Sequence, residues 1–306
     1  MPFMEGSALG TDGARFAVAL GGGTARAYAH IGALGALERH GHRPAAVAGT
    51  SSGAVFGAMY ALGTSPAELE RFARELDVAQ VWRLALDPGL GEAALVHGRK
   101  LEAWLDRTVF RGAVFADVRL PLAVACTDLG SGELVVVRDG PIARAVVASC
   151  ALPGVFAPVL DHGRALVDGG FVESVPFAAA AALGPWPALG IHAGIDVRRA
   201  RLIAVVRALH ATAAGRATAD WFGRRRGRNP WSRLGRGLLL AVASYERSIG
   251  APVGGWLLTT RPPIAWLDFH RSADAIRACD LAVDDAIERG GLAAWLRGEP
   301  LQGERP

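Results

Sequence analysis

Ala45-Ala46-Val47-Ala48-Gly49-Thr50-Ser51-Ser52-Gly53-Ala54 is the stretch that decides how this chain is read. An apolar run leads into five small residues, and a helix-prone segment from Ala54 to Leu62 leads out. Gly49-Thr50-Ser51-Ser52-Gly53 has the form Gly-x-Ser-x-Gly, which on a strand-to-helix turn is a nucleophile elbow. There the serine is held in a strained backbone conformation with its hydroxyl projecting outward, and the flanking glycines let neighbouring backbone come close. Alone the pentapeptide is weak evidence, because the chain holds 39 glycines in 306 residues and an ordinary βα turn reads the same way. Its surroundings carry the decision.

Just upstream stands a second unit of the same kind. Arg15 to Leu20 is a short apolar run ending in Gly21-Gly22-Gly23, followed by a periodic segment from Arg26 to His40 with Ala27, Ile31, Leu34 and Leu37 on one face. Two consecutive strand-turn-helix units predict a parallel sheet. Helical spacing recurs over Pro66 to Leu76, with Ser65 or Thr64 as cap, over Arg99 to Phe110, over Ala143 to Cys150 and after Pro176. Leu120 to Cys126, Leu134 to Arg138, Ala165 to Val167 and Leu202 to Val206 read as strands, and Leu234 to Arg247 and Ala273 to Trp295 as helices. The expected architecture is a three-layer α/β/α domain with a mostly parallel central sheet. No repeat or linker divides it: residues 1–14 read as a tail, 15–287 as the domain, and 288–306 as a C-terminal helix and tail.

Composition bounds the function classes. Hydrophobic residues make up 51% and charged residues 20%, as in globular chains rather than disordered ones. Two long uncharged stretches, Pro44 to Ala67 and Ser174 to Ile195, are too diluted with Gly, Ala, Ser and Pro to span a bilayer. Met1 to Arg15 lacks a basic segment followed by an apolar run, so the expected location is the cytoplasm. Cys126, Cys150 and Cys279 are odd in number and scattered, which suits reduced, partly buried thiols, and neither they nor the eight histidines show metal-ligand spacing.

Acyl transfer from a serine requires an exposed nucleophile, a base and donors aimed at the developing oxyanion. Ser51 supplies the first, and the helix starting near Ser52 turns free N–H groups and its positive dipole end toward the same spot. The glycine turn after the first strand would lie alongside and lend further amides. That turn fails as a dinucleotide fingerprint, since the Gly-x-Gly-x-x-Gly places fall on Arg26 in one frame and on Thr24 and Ala27 in the other. It fails as a P-loop for lack of a Gly-Lys-Ser or Gly-Lys-Thr ending.

Taken in order, Leu20-Gly21-Gly22-Gly23-Thr24-Ala25-Arg26-Ala27-Tyr28-Ala29-His30-Ile31-Gly32, then Gly49-Thr50-Ser51-Ser52-Gly53, then Asp168-Gly169-Gly170, resemble the patatin-like phospholipase family, in its bacterial single-domain form. Supporting matches are Thr127-Asp128-Leu129 within Pro121 to Gly132, the run Ala148 to Pro158, and Leu267-Asp268-Phe269. The resemblance covers about Arg15 to Ile287. It implies a lipid acyl hydrolase of the phospholipase A or lysophospholipase kind, working without metal or organic cofactor. Ser51 would be the nucleophile and Asp168 its partner in a Ser-Asp dyad. Gly22, Gly23, Thr24 and Ser52 would form the oxyanion hole, with Arg26, Gly49, Gly53, Gly169 and Gly170 shaping the turns. An aspartate can serve as base only where partial burial and few charged neighbours keep its pKa from falling too low. The family's turn resembles Gly-Gly-Gly-x-Arg-Gly, whereas this chain reads Gly22-Gly23-Thr24-Ala25-Arg26-Ala27, or, slipped by one residue, puts Gly21 to Gly23 in the donor places. A β-branched Thr24 costs about 1–2 kcal/mol wherever φ must be positive.

Two other readings compete. One is a Ser-His-Asp esterase drawing on His192, His210 or His270; the other is a non-catalytic lipid- or partner-binding protein on the same fold. The net charge is +4, and the excess is concentrated in Arg216 to Arg236, where seven arginines face only Asp220 among Trp221, Phe222 and Trp231. This segment reads as a peripheral contact with anionic lipid headgroups, or as a solvated face. No nucleic-acid recognition motif accompanies it, so no nucleic acid is expected as a partner.

Overall fold

The computed structural model describes residues 14–76, 97–153, 156–193, 254–265, 268–289 and 291–299, with 79, 83 and 252 singly. The expected strand over Leu202 to Val206, the helix over Leu234 to Arg247, and the arginine-rich segment Arg216 to Arg236 lie outside the described residues.

Strand β1 (Ala17–Leu20) leads through a 3-10 turn (Thr24–Tyr28) into helix α1 (Ala29–Arg39), and β2 (Ala46–Thr50) leads into α2 (Ser52–Ala61). Next come α3 (Pro66–Glu75) and α4 (Arg99–Trp104), whose last part widens into a π-helical turn over Leu105–Phe110. They are followed by β3 (Leu122–Asp128), β4 (Leu134–Val137), α5 (Ile142–Cys150), β5 (Val159–Asp161), β6 (Arg164–Asp168), α6 (Phe177–Ala181) and β7 (Ala188–His192). The chain ends with β8 (Trp256–Thr259), α7 (Ser272–Glu288) and α8 (Gly291–Leu296). Ser65 caps α3 through a capping box with Glu68 beside Pro66, the start signal legible in the sequence. The helical stretch expected over Ala273 to Trp295 consists of two helices, α7 and α8.

Eight strands form one sheet in the order β5-β6-β3-β2-β1-β7-β8, with β4 also pairing β3. Four pairings are parallel (β1–β2, β1–β7, β2–β3, β7–β8) and three antiparallel (β3–β4, β3–β6, β5–β6). The parallel half carries the two βα units, whose right-handed helical crossovers demand that arrangement.

Alternation along the inner strands separates the two faces. Val18, Leu20, Val47, Val124, Leu189 and Ile191 point into the main core, shared with α1, α2, α5 and α7. Ala17, Ala19, Ala46, Ala48, Ala123 and Ala125 point the other way and pack against Val175, Phe177, Ala179 and Ala180 of the α6 region. Large residues on one face and alanines on the other let short α6 lie close over the sheet while longer helices fill the opposite layer. The result is the three-layer α/β/α arrangement, with one layer thin among the described residues.

Register explains how distant segments meet. Cys126 faces Val135 of β4 and Asp168 of β6, so β4 and β6 flank β3 on opposite sides. Ala125 faces Val136 of β4 and Thr50 of β2, so β2 also lies opposite β4. Strands β2 and β6 therefore share one side of β3, running head-on. Thr50 ends β2 opposite Ala125, and Asp168 ends β6 opposite the next residue, Cys126.

Candidate active site

At the tip of β2 the chain turns abruptly. Ser51 adopts φ 53° and ψ −128°, a conformation L-residues rarely hold, and α2 begins at the next residue. The flanking glycines are required by contact: a Cβ on Gly49 would come closer than 3.0 Å to the backbone of Ala54, and one on Gly53 closer than 3.0 Å to the carbonyl oxygen of Leu20. The elbow is thus pressed against both its own helix and the end of β1.

Across the junction, the Ser51 hydroxyl donates to Asp168 Oδ2 at 2.8 Å. The other carboxylate oxygen, Oδ1, accepts the Gly170 N–H at 2.7 Å. Thr127 Oγ1 donates to the Asp168 carbonyl at 2.9 Å, and the Asp168 N–H donates to Ala151 O at 3.0 Å. Asp168 is only 5% exposed, whereas Ser51 is half-buried. Gly169 is obligatory here, since a Cβ on it would collide with Ala125 O. Burial and the Asp168 carboxylate together push the neighbouring Cys150 thiol well above the usual thiol range, against a lowering by its contact with the Ser51 hydroxyl. Cys126 is shifted upward for the same first two reasons.

The glycine turn after β1 lies beside the elbow, with the Cβ position of Gly22 3.3 Å from Ser51 Cβ and 3.9 Å from Ser51 Oγ. Its amides are differently disposed. Gly21 N–H donates to Ile191 O and Gly22 N–H to Ser174 O, each at 3.0 Å. The Gly22 N–H, one of the expected oxyanion donors, is thus engaged with the segment after β6. Gly23 N–H donates to Ser52 Oγ at 3.2 Å. Thr24 takes φ 54°, so the β-branched residue does sit where a glycine would be unstrained. His30 is fully buried and its Nε2 bonds Gly21 O at 2.6 Å, which makes Nε2 the protonated nitrogen of a neutral ring. Burial, outweighing that bond, lowers its pKa to about 4.

Arg26, at 7% exposure, is a buried residue rather than a solvated one at a helix start, and it lies near His192, whose pKa is lowered by burial and by this positive charge. His192 ends β7 on the far side of β1 from the elbow, and His270 lies in the turn (Phe269–Arg271) before α7, so neither stands between Ser51 and Asp168. His210 lies outside the described residues. Among the described residues no cluster of His, Cys, Asp and Glu could hold a metal ion, and no helix is long and apolar enough to cross a membrane.

Sequence reasoning overlooked Ser149. It is completely buried at the end of α5; its Oγ accepts the Ser51 N–H at 2.7 Å and donates to Ala125 O at 2.6 Å. The signal was present in the run Ala148 to Pro158, where a lone hydroxyl stands near the end of a helix of mostly small apolar residues.

Known proteins are similar to this chain in sequence. The sequence profile described as patatin-like phospholipase matches residues 18–181, more than half of the chain. An uncharacterized NTE family protein of Mycobacterium bovis is 35% identical over 224 residues, 70% of this chain and 56% of that protein. Human patatin-like phospholipase domain-containing protein 6 is 33% identical over 60% of this chain and 14% of its own length. Lysophospholipase NTE1 of Coccidioides immitis is 32% identical over 54% of this chain and 10% of its own length. The chain thus spans little more than half of the mycobacterial relative and a small part of the other two. The match of the profile across both strand-turn-helix units and Asp168 places this chain in the patatin-like phospholipase family.

Proposed function

We propose that the protein hydrolyses acyl esters of lipids through Ser51 and Asp168, with a phospholipid or lysophospholipid as substrate. The observation that carries this reading is the 2.8 Å bond from the Ser51 hydroxyl to Asp168 Oδ2 at a half-buried elbow. Asp168 accepts the Ser51 proton as the oxygen attacks the ester carbonyl, and the proton passes to the departing alcohol. Water then attacks the acyl-serine, again losing a proton to Asp168 before the acid leaves and Ser51 is restored. The Ser52 N–H, at the first turn of α2, and the Thr24 N–H are the donors suited to the oxyanion, joined by Gly23 N–H once it leaves Ser52 Oγ. The substrate class is supported by the family and by the lysophospholipase relative.

One observation favours binding without turnover: Gly22 N–H and Gly23 N–H are both already engaged, and Thr24 is strained. The same experiment separates the two readings. Hydrolysis of medium-chain p-nitrophenyl esters and of lysophosphatidylcholine by the wild type is expected to fall by about 10^3-fold or more in Ser51→Ala and Asp168→Asn. Equal rates in wild type and Ser51→Ala would end the hydrolase reading. His192→Ala, His210→Ala and His270→Ala variants with wild-type rates beside an inactive Asp168→Asn dispose of the histidine triad.

A further inference from the structure

We infer that Ser149, together with the two residues that follow it, sets the distance between the Ser51 hydroxyl and the Asp168 carboxylate, so that Ser149 is a positioning residue for the reaction proposed above, on which the inference rests. Strands β2 and β6 meet end to end on one side of β3, and no ladder pairing joins them among the described residues. Both strands are registered on β3, and the C-terminal end of α5 is the element that bonds each tip directly.

Three consecutive residues reach both partners. Ser149 Oγ takes the Ser51 N–H at 2.7 Å and gives its own proton to Ala125 O at 2.6 Å. Ala151 O takes the Asp168 N–H at 3.0 Å. Between them the Cys150 thiol touches the Ser51 hydroxyl and feels the Asp168 charge. The hydroxyl of Ser149 thus both accepts, from the elbow, and donates, to β3, at a site with 0% exposure.

The elbow needs such a hold. A residue at φ 53° persists only where its surroundings over-determine it. The Gly49 and Gly53 contacts fix the glycines on either side, whereas the Ser149 bond fixes the amide of Ser51 itself. With that bond gone, Ser51 N–H and Ala125 O are buried without partners and the elbow can relax toward ordinary φ, carrying the hydroxyl away from Asp168. A misplacement of about 1 Å in a reacting group costs on the order of 10^2-fold in rate.

The test compares Ser149→Ala and Ser149→Cys with wild type, Ser51→Ala and Leu69→Ala. Cysteine is the nearest isostere of serine, larger at sulfur and a poor hydrogen-bond partner, so wild-type behaviour in Ser149→Cys would mean that the hydrogen bonds of this hydroxyl do not matter. We expect both Ser149 variants to lose about 10–100-fold in kcat with KM within threefold, at a temperature where circular dichroism shows each fully folded. Leu69→Ala removes a buried side chain on α3, remote from the elbow, and is expected to lower Tm while leaving kcat unchanged. Wild-type kcat in Ser149→Cys, or a kcat loss in Leu69→Ala as large as in Ser149→Ala, overturns the inference.

A readout independent of turnover keeps it separable from the hydrolase reading. Exchange of the Ser51 amide, followed by NMR, is expected to be at least tenfold faster in Ser149→Ala than in wild type, and equal protection overturns the inference. If Ser51→Ala retains wild-type hydrolysis, the hydrolase reading fails, and amide exchange still decides whether Ser149 holds the elbow.

Discussion

Two neighbouring strand-to-helix turns each force a non-glycine residue to positive φ, Thr24 at 54° and Ser51 at 53°, yet they are built in opposite ways. The glycines of the elbow are fixed by contact, since a Cβ on either would collide with backbone, and a single bond to Ser149 holds the amide of Ser51 between them. The glycine turn is set by hydrogen bonds, from Gly21 to Ile191, from Gly22 to Ser174, from Gly23 to Ser52 and from His30 back to Gly21. A Cβ on Gly23 would find nothing nearer than 3.4 Å. The turn thus has room for a side chain at Gly23 and less at Gly21, whose Cβ would meet Ser174 O at 3.0 Å, whereas the elbow has none at Gly49 or Gly53.

The largest expected effect tests that contrast directly. Gly53→Ala drives a methyl into Leu20 O and is expected to cost about 3 kcal/mol and to abolish labelling of Ser51 by a fluorophosphonate, whereas Gly23→Ala costs about 1 kcal/mol. Equal losses in urea denaturation would break the comparison. Next in size is the pH dependence contributed by His30. Its folded pKa of about 4 lies below the ordinary histidine value of 6.5, so on acidification the unfolded chain takes up the proton first, and stability is lost as pH falls from about 6.5 toward 4. Between pH 7 and pH 5 this amounts to about 2 kcal/mol, and His30→Gln, which can still donate to Gly21 O, is expected to lose correspondingly less over that interval. Parallel urea melts at the two pH values check it; identical pH dependence would remove His30 as the cause. The smallest effect belongs to Thr24→Gly. Release of the strained φ, partly offset by the greater freedom of glycine in the unfolded chain, is expected to raise stability by at most about 1 kcal/mol. A clear loss in Tm would mean that the threonine side chain, not only its backbone, supports the turn.

Much of this was legible in the sequence because it depended on short-range patterns. The apolar runs Arg15 to Leu20 and Ala45 to Ala48, the glycine turn, the elbow and a cap at Ser65 or Thr64 each declare themselves within a few residues. Strands β5, β7 and β8 were not foreseen. Ala188–His192 holds a glycine and a histidine and follows a proline-rich stretch, so its strand character comes from pairing with β1 and β8 rather than from its own composition. The site divided along the same line: Ser51 and Asp168 stand out through their motifs, whereas Ser149 acquires its role only from what α5 packs against. The direction of the Gly22 N–H was equally hidden, since it is fixed by Ser174, more than a hundred residues away.

The head-on meeting of β2 and β6 beside β3 makes the serine a gauge of sheet alignment. A slip of either strand by one residue along β3 moves its tip by about 3.3 Å, enough to part an oxygen pair that sits 2.8 Å apart, while a shift of β3 itself carries both tips together. Misaligned molecules would stay dark to an activity-based probe however compact they had become. During refolding, the onset of probe capture should therefore time the moment when both strands have locked into their final alignment.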